Sequence, residues 1–157
     1  MAPAHSERYA PGLVLFAYDG SDLAQFAIEE SARQLAAGRD ALVLCVWQPA
    51  AVGFLPVGEQ HFDALDATAV QKAAEATAAH GASLAERYGF RSESLTVEAA
   101  PTWKGIVEVA GDRKASLVVL GSHNRSGIRG HLSASVAAAV VAHCDVSVLV
   151  VHRKSST

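Results

Sequence analysis

Little in this chain of 157 residues invites covalent or redox chemistry. It has only two cysteines, Cys45 and Cys144, each beside or within an apolar segment and not spaced as a CxxC pair. They read as buried free thiols in a reducing cytoplasm, with a disulfide or a catalytic thiol as the lesser alternatives. No apolar run reaches the ~18 residues of a membrane span, and the opening MAPAHSERYAPG lacks the apolar centre of a secretory signal. A basic excess is missing too. The net charge is −3, which argues against general nucleic-acid binding. No GxxxxGKS/T loop, HExxH, GxSxG or Ser-His-Asp arrangement is legible, and the turn after the first strand lacks the GxGxxG of a dinucleotide site. His123, His131, His143 and His152 are scattered, without an i,i+4 pair or cysteine companions, so no metal site is expected.

What is present is a folding core. Half the residues are hydrophobic and 18% are charged, the balance of a globular chain and not of a disordered one. We expect a flexible tail over 1–10, one domain over 11–153 and a short C-terminal tail over 154–157. Leu13–Ala17 reads as a first strand, stopped by Asp19-Gly20-Ser21. A helix follows from about Asp22 to Ala37 with Ala24, Ile28, Ala32 and Leu35 at helical spacing and Ser21 or Asp22 as cap. Ala41–Trp47 is a second strand, and QPAAVGFLPVGEQ a long loop of the kind that serves as a lid or contact. An Ala-rich helix from about Phe62 to Tyr88 carries an expected stripe of Val70, Ala73, Leu84 and Tyr88. Thr77 and Gly81 fall on the same face and would let it pack closely. Ser94–Ala99 is a third strand, and Pro101 opens a helix with Trp103, Ile106, Val107 and Ala110 inward. Leu117–Leu120 and Val146–Val151 are the fourth and fifth strands, separated by a helix after Ser133.

Strands apolar throughout and alternating with helices imply an α/β fold, a doubly wound five-stranded parallel sheet with helices on both faces. Ligands of such sheets bind beyond the carboxyl ends of the strands. Asp19 closes the first strand there and Gly121 the fourth. Between Ser116 and Val136, an apolar strand runs into a polar loop with Arg125, Gly127, Arg129 and Gly130, then into a helix begun by Ser133 and Ser135. That order suits an anion held by free N–H groups and a helix dipole. It equally suits an ordinary strand-to-helix connection.

From Leu13 to Val151 the chain resembles the universal stress protein family. FAYDGSDLAQFAIEESARQLA looks like the family's first strand and helix, SLVVLGSHNRSGIRG like its fourth strand and nucleotide loop, and VSVLVV like its last strand. The resemblance implies an adenine-nucleotide alpha-hydrolase-like sheet of order 3-2-1-4-5. It also implies a non-catalytic regulatory or sensor protein of the cytoplasm that binds ATP, with or without magnesium, or another adenine nucleotide. The family's Gly-x2-Gly-x9-Gly-Ser/Thr pattern falls on Gly121, Asn124, Ala134 and Ser135, so Asn and Ala stand where two glycines do in the family. By the same resemblance Asp19 would bind the adenosine portion and Val46 would hold the base edge through its main chain. Leu120 and Val136 would flank base or ribose. Independently of the resemblance, Arg125 and Arg129 bracket the loop and could neutralise phosphate charge. Family members pair their last strands, which implies a homodimer through the C-terminal strand, with an unknown protein partner beyond it. A dimeric interaction module that has lost its nucleotide, and a slow ATPase, are the alternatives.

Overall fold

A computed structural model describes residues 11–48, 64–122 and 134–154. The expected N-terminal tail, the long loop beyond Gln48, Asn124 and Arg125 lie outside the described residues. The elements are β1 (Val14–Ala17), α1 (Asp22–Gln34), β2 (Asp40–Trp47), α2 (Ala64–Arg87) and β3 (Arg91–Glu98), then α3 (Thr102–Asp112), β4 (Leu117–Gly121), α4 (Ala134–His143) and β5 (Ser147–Val151). The strands form one sheet in the order β3-β2-β1-β4-β5, and every adjacent pair is parallel. This is the architecture expected from apolar strands alternating with helices. No helix among the described residues is long and apolar enough to cross a membrane.

Side chains alternate across the pleat, so each central strand feeds two cores. Val14, Phe16, Val43 and Val119 point to one face, where they meet Ala27 and Ile28 of α1 and Leu84 and Ala85 of α2. Leu15, Leu42, Val118 and Leu120 point to the other, against Ile106 and Ala110 of α3 and Val140 of α4. Helices α1 and α2 therefore cover one face and α3 and α4 the other.

Several local expectations shift. The buried stripe of α2 is Ala74, Ala78, Gly81, Leu84 and Ala85, whereas Ala73 is exposed and Tyr88 is 42% exposed. Small residues allow the close approach: a Cβ at Gly81 would stand 2.7 Å from both Tyr18 and Val43. In α3 the inward residue is Val109 and not Val107. Strand β3 begins at Arg91, three residues before the expected Ser94, because its edge position leaves polar side chains in solvent while the backbone keeps pairing to β2. Helix α1 stops at Gln34, short of Ala37.

Candidate functional site

Parallel strands bring all their carboxyl ends to one rim. Val14, Leu15 and Phe16 of β1 pair with Leu117, Val118 and Val119 of β4. Asp19 and Ser122 each lie three residues beyond the last of these pairs, so the two chain ends leave the sheet side by side. On the other flank, the Tyr18 N–H donates to Leu44 O of β2 at 2.8 Å.

The Asp-Gly-Ser turn is shaped by its own residues. Gly20 takes φ +80°, a conformation that side chains resist. Asp19 Oδ1 accepts the Ser21 N–H at 3.0 Å, a common local turn for aspartate. Ser21 then caps α1, its Oγ accepting the Ala24 N–H at 3.2 Å. The Gln25 side-chain amide donates to Gly20 O at 3.3 Å.

Next to this turn lies a cavity of ≈ 240 Å³. Asp19 lines it from β1, Cys45, Val46, Trp47 and Gln48 from the end of β2, Val70, Ala73, Ala74 and Thr77 from α2, and Thr102 from the start of α3. Trp47 packs against Cys45, Ala74 and Ala78. The Thr77 hydroxyl donates to Ala73 O at 2.9 Å. Gln48 Nε2 donates to Thr102 Oγ1 at 3.1 Å. Of the described lining residues, the one with a full charge is the carboxylate Asp19. Its neighbourhood raises two other acids. Burial, and secondarily the charge of Asp19, push the Cys45 thiol up to about 11. Burial followed by Asp19 also pushes Tyr18 up to about 12, while its hydroxyl bonds His80 Nδ1 at 2.8 Å. Cys45 is a protonated thiol at neutral pH and a poor nucleophile.

The expected site residues divide into groups. Asp19 and Val46 share the cavity. Leu120 is fully buried in the core beneath α3 and α4, so its side chain is packing. Gly121 is also constrained by packing: a Cβ there would stand 2.6 Å from Leu23 Cγ of α1. Ala134 opens α4, Ser135 is exposed in its first turn, and Val136 is half-buried against the α3–α4 core. Cys45, Trp47, Gln48, Thr77 and Thr102 were not foreseen as lining. The one available signal was position, since Trp47 ends β2 and Gln48 follows it at the carboxyl rim of the sheet. Trp103 was expected to be core; it is half-buried and stacks on His143 with centroids 4.4 Å apart.

Chemically, the cavity offers apolar walls, a carboxylate, a carboxamide and hydroxyls. Pockets for whole drug-sized ligands start at ~300 Å³, so the described space suits a flat ring or a nucleoside portion. Among the described residues no three of His, Cys, Asp or Glu are grouped to hold a metal.

The model of the universal stress protein family matches residues 13–152. No curated protein matches the chain. Among solved structures, the hypothetical protein MJ0577 is 22% identical, with 92% of this chain and 98% of that one covered at a TM-score of 0.69. A universal stress protein in complex with cAMP is 23% identical over 91% of this chain and 98% of its own, TM-score 0.61. A universal stress protein family protein from Arabidopsis thaliana with AMP bound is 17% identical over 92% and 94%, TM-score 0.63.

Proposed function

The chain belongs to the universal stress protein family, and on that premise we propose that it binds an adenine nucleotide as a non-catalytic regulatory protein. The observation that carries this reading is the cavity where Asp19 and Val46 meet at the carboxyl ends of β1 and β2. It has the apolar walls and hydrogen-bonding groups a nucleoside needs, on the rim where ligands of such sheets bind. Structural neighbours bind cAMP and AMP, which supports an adenine ligand. ATP, with or without magnesium, is the nucleotide we propose, its phosphates directed toward the segment that carries Asn124, Arg125, Ala134 and Ser135. No catalytic residue is assigned: Cys45 is protonated, and any ATP hydrolysis would be slow. A reducing cytoplasm suits the two free thiols.

The test is direct. Purified protein is denatured and its supernatant resolved by anion exchange for released nucleotide, then the apo chain is titrated with ATP, ADP, AMP and cyclic AMP. We expect saturable binding, reduced at least tenfold by Asp19→Ala. Wild-type protein indifferent to all four would leave only the interaction-module reading, which Asn124 and Ala134 favour by standing where the family has glycines.

A homodimer through β5 is part of the proposal. Val148, Leu149 and Val150 of this edge strand are half-buried in a single chain, and an apolar edge invites pairing with a second copy. Sedimentation velocity should give a dimer at micromolar concentration. A monomer there would remove this part of the reading.

A further inference from the structure

The sheet has two edge strands, β3 and β5, and they are protected to different degrees. β3 exposes Arg91, Glu93 and Glu98, charges of the kind that keep an edge from pairing. β5 carries no charge from Ser147 to Val151. Its charges stand just outside it. Asp145 lies two residues before the strand and Arg153 two residues after it, and both are exposed. The ion pairs among the described residues are made by other side chains. Arg153 rests over the Phe26 ring of α1, its guanidinium carbon 5.6 Å from the centroid.

Side-chain alternation sets the side on which these charges stand. Leu149 and Val151 pack into the face covered by α1 and α2, and Val148 and Val150 into the face covered by α3 and α4. Arg153 continues the first series, since Phe26 packs into that same face. Two copies of an edge strand related by a two-fold axis pair antiparallel about one residue that faces its own copy. Residues equally far on either side of that centre then meet across the strands, on one side of the sheet. A centre at Leu149 pairs the whole strand, Ser147 with Val151 of the second copy, and it sets Asp145 against Arg153. Moving the centre to Val148 or Val150 shortens the paired stretch and takes the two charges out of line.

We propose that β5 pairs with β5 of a second copy about Leu149, and that reciprocal Asp145–Arg153 ion pairs, two per dimer, select this register. The inference rests on the homodimer part of the reading above and adds the register and the groups that choose it. Asp145 sits in a bend ahead of the strand, within the span of a side chain as long as that of arginine. The pairs fall on the α1 side, at a groove of ≈ 530 Å³ lined by Phe26, Leu149 and Arg153. Glu30 lines the groove too, but its carboxylate accepts from Arg33 and Gln34 of its own helix.

The experiment exchanges the charges in the full chain and reads dimer dissociation by sedimentation velocity. Asp145→Arg alone and Arg153→Asp alone each set like charges opposite one another twice per dimer, and each should weaken the dimer about tenfold. Mixed in equal amounts, the two variants bring opposite charges together at both positions, so the mixture should associate as tightly as wild type. The double variant carrying both exchanges should recover as well. Both positions are exposed, and thermal midpoints report folding. A wild-type dimer whose single variants are equally tight, or a mixture no tighter than either variant alone, overturns the register and leaves the dimer. A wild type that stays monomeric at micromolar concentration overturns the register and the homodimer reading together.

Discussion

The two ends of the sheet use polar groups in opposite ways. Over β1 and β4 the amino end is sealed: Arg39 Nη2 donates to Gly12 O at 3.0 Å and to Ser116 Oγ at 3.1 Å. Ser116 adds bonds from its N–H and its hydroxyl to Leu13 O. These side chains serve backbone groups that the strands leave unpaired. A wider groove of ≈ 630 Å³ lies beside β2 and β3 at this end; Asp40 and Arg91 on its wall pair with each other at 2.7 Å, and Glu86 and Glu93 also line it. At the carboxyl end, Gln48 and Thr102 bond across a hollow, and Asp19 uses one oxygen for its own turn while still lining that hollow. What separates them is where the polar groups sit: those of the amino end close over strand-end backbone, and those of the carboxyl end border a hollow.

The largest expected effect tests how much of the carboxyl end is structural. A methyl at Gly121 would collide with Leu23 Cγ, 2.6 Å away, and approach Leu23 O at 3.3 Å. Gly121→Ala should cost about 1–3 kcal/mol, read by urea denaturation. In a Leu23→Ala background, itself down by about 2–5 kcal/mol, the added cost of Gly121→Ala should fall sharply, leaving only the approach to Leu23 O. An equal cost in both backgrounds would mean that Leu23 is not what requires glycine. If the coupling is found, Gly121 alone is no sign of a phosphate, since helix packing demands it without any ligand.

At the opposite end the expected loss is smaller and should not reach the cavity. Arg39→Leu removes two hydrogen bonds and should cost about 1–2 kcal/mol. Affinity for AMP should stay within twofold of wild type, because Arg39 lies at the far end of the strands. A tenfold change in affinity would join the two ends energetically and erase the contrast between them.

Strands buried on both faces were readable because an unbroken apolar run of that length must leave water on every side; β1, β2 and β4 fall within two residues of expectation at either end. β3 was half hidden, since Arg91, Glu93 and Ser94 are exposed at an edge and carry no apolar signal. The face of α2 was misread for a related reason. Gly81 and Leu84 are buried as expected, but the rest of the burial belongs to Ala74, Ala78 and Ala85, and the large Tyr88 stands in solvent. Asp19 could be placed on the rim because topology puts strand ends there, and Val46 entered through the family resemblance. Strand-end position was a signal for Gln48 too, but its contact with Thr102 spans 54 residues and follows no period.

Alkaline pH should act on the carboxyl end before it touches the seal. Cys45 rises from 9.0 to about 11, through burial first and the charge of Asp19 second. Tyr18 rises from 10.0 to about 12 for the same two leading reasons. Both groups hold their protons more tightly in the folded chain. Their contribution to stability is complete below the unfolded values and is lost as pH climbs through the folded ones. Denaturation midpoints should therefore decline from about pH 9 upward, and Cys45→Ala should flatten the first part of that decline. An identical slope in Cys45→Ala would mean that the thiol is not held protonated by its surroundings.

The smallest effect runs in the stabilising direction. Ser31 of α1 is fully buried, and its Oγ has no hydrogen-bond partner among the described residues. Thr77 of α2, on the cavity wall, has its hydroxyl bonded to Ala73 O at 2.9 Å. A buried hydroxyl without a partner keeps its desolvation cost and returns nothing. Ser31→Ala keeps the Cβ, adds helix propensity and removes the orphan, so it should raise stability by up to about 1 kcal/mol. Thr77→Val loses a satisfied bond and should lower stability by a similar amount. The pair of urea curves therefore moves in opposite directions if hydrogen-bond satisfaction decides the sign. Destabilisation by Ser31→Ala would mean instead that its hydroxyl has a partner, such as an ordered water between α1 and the sheet.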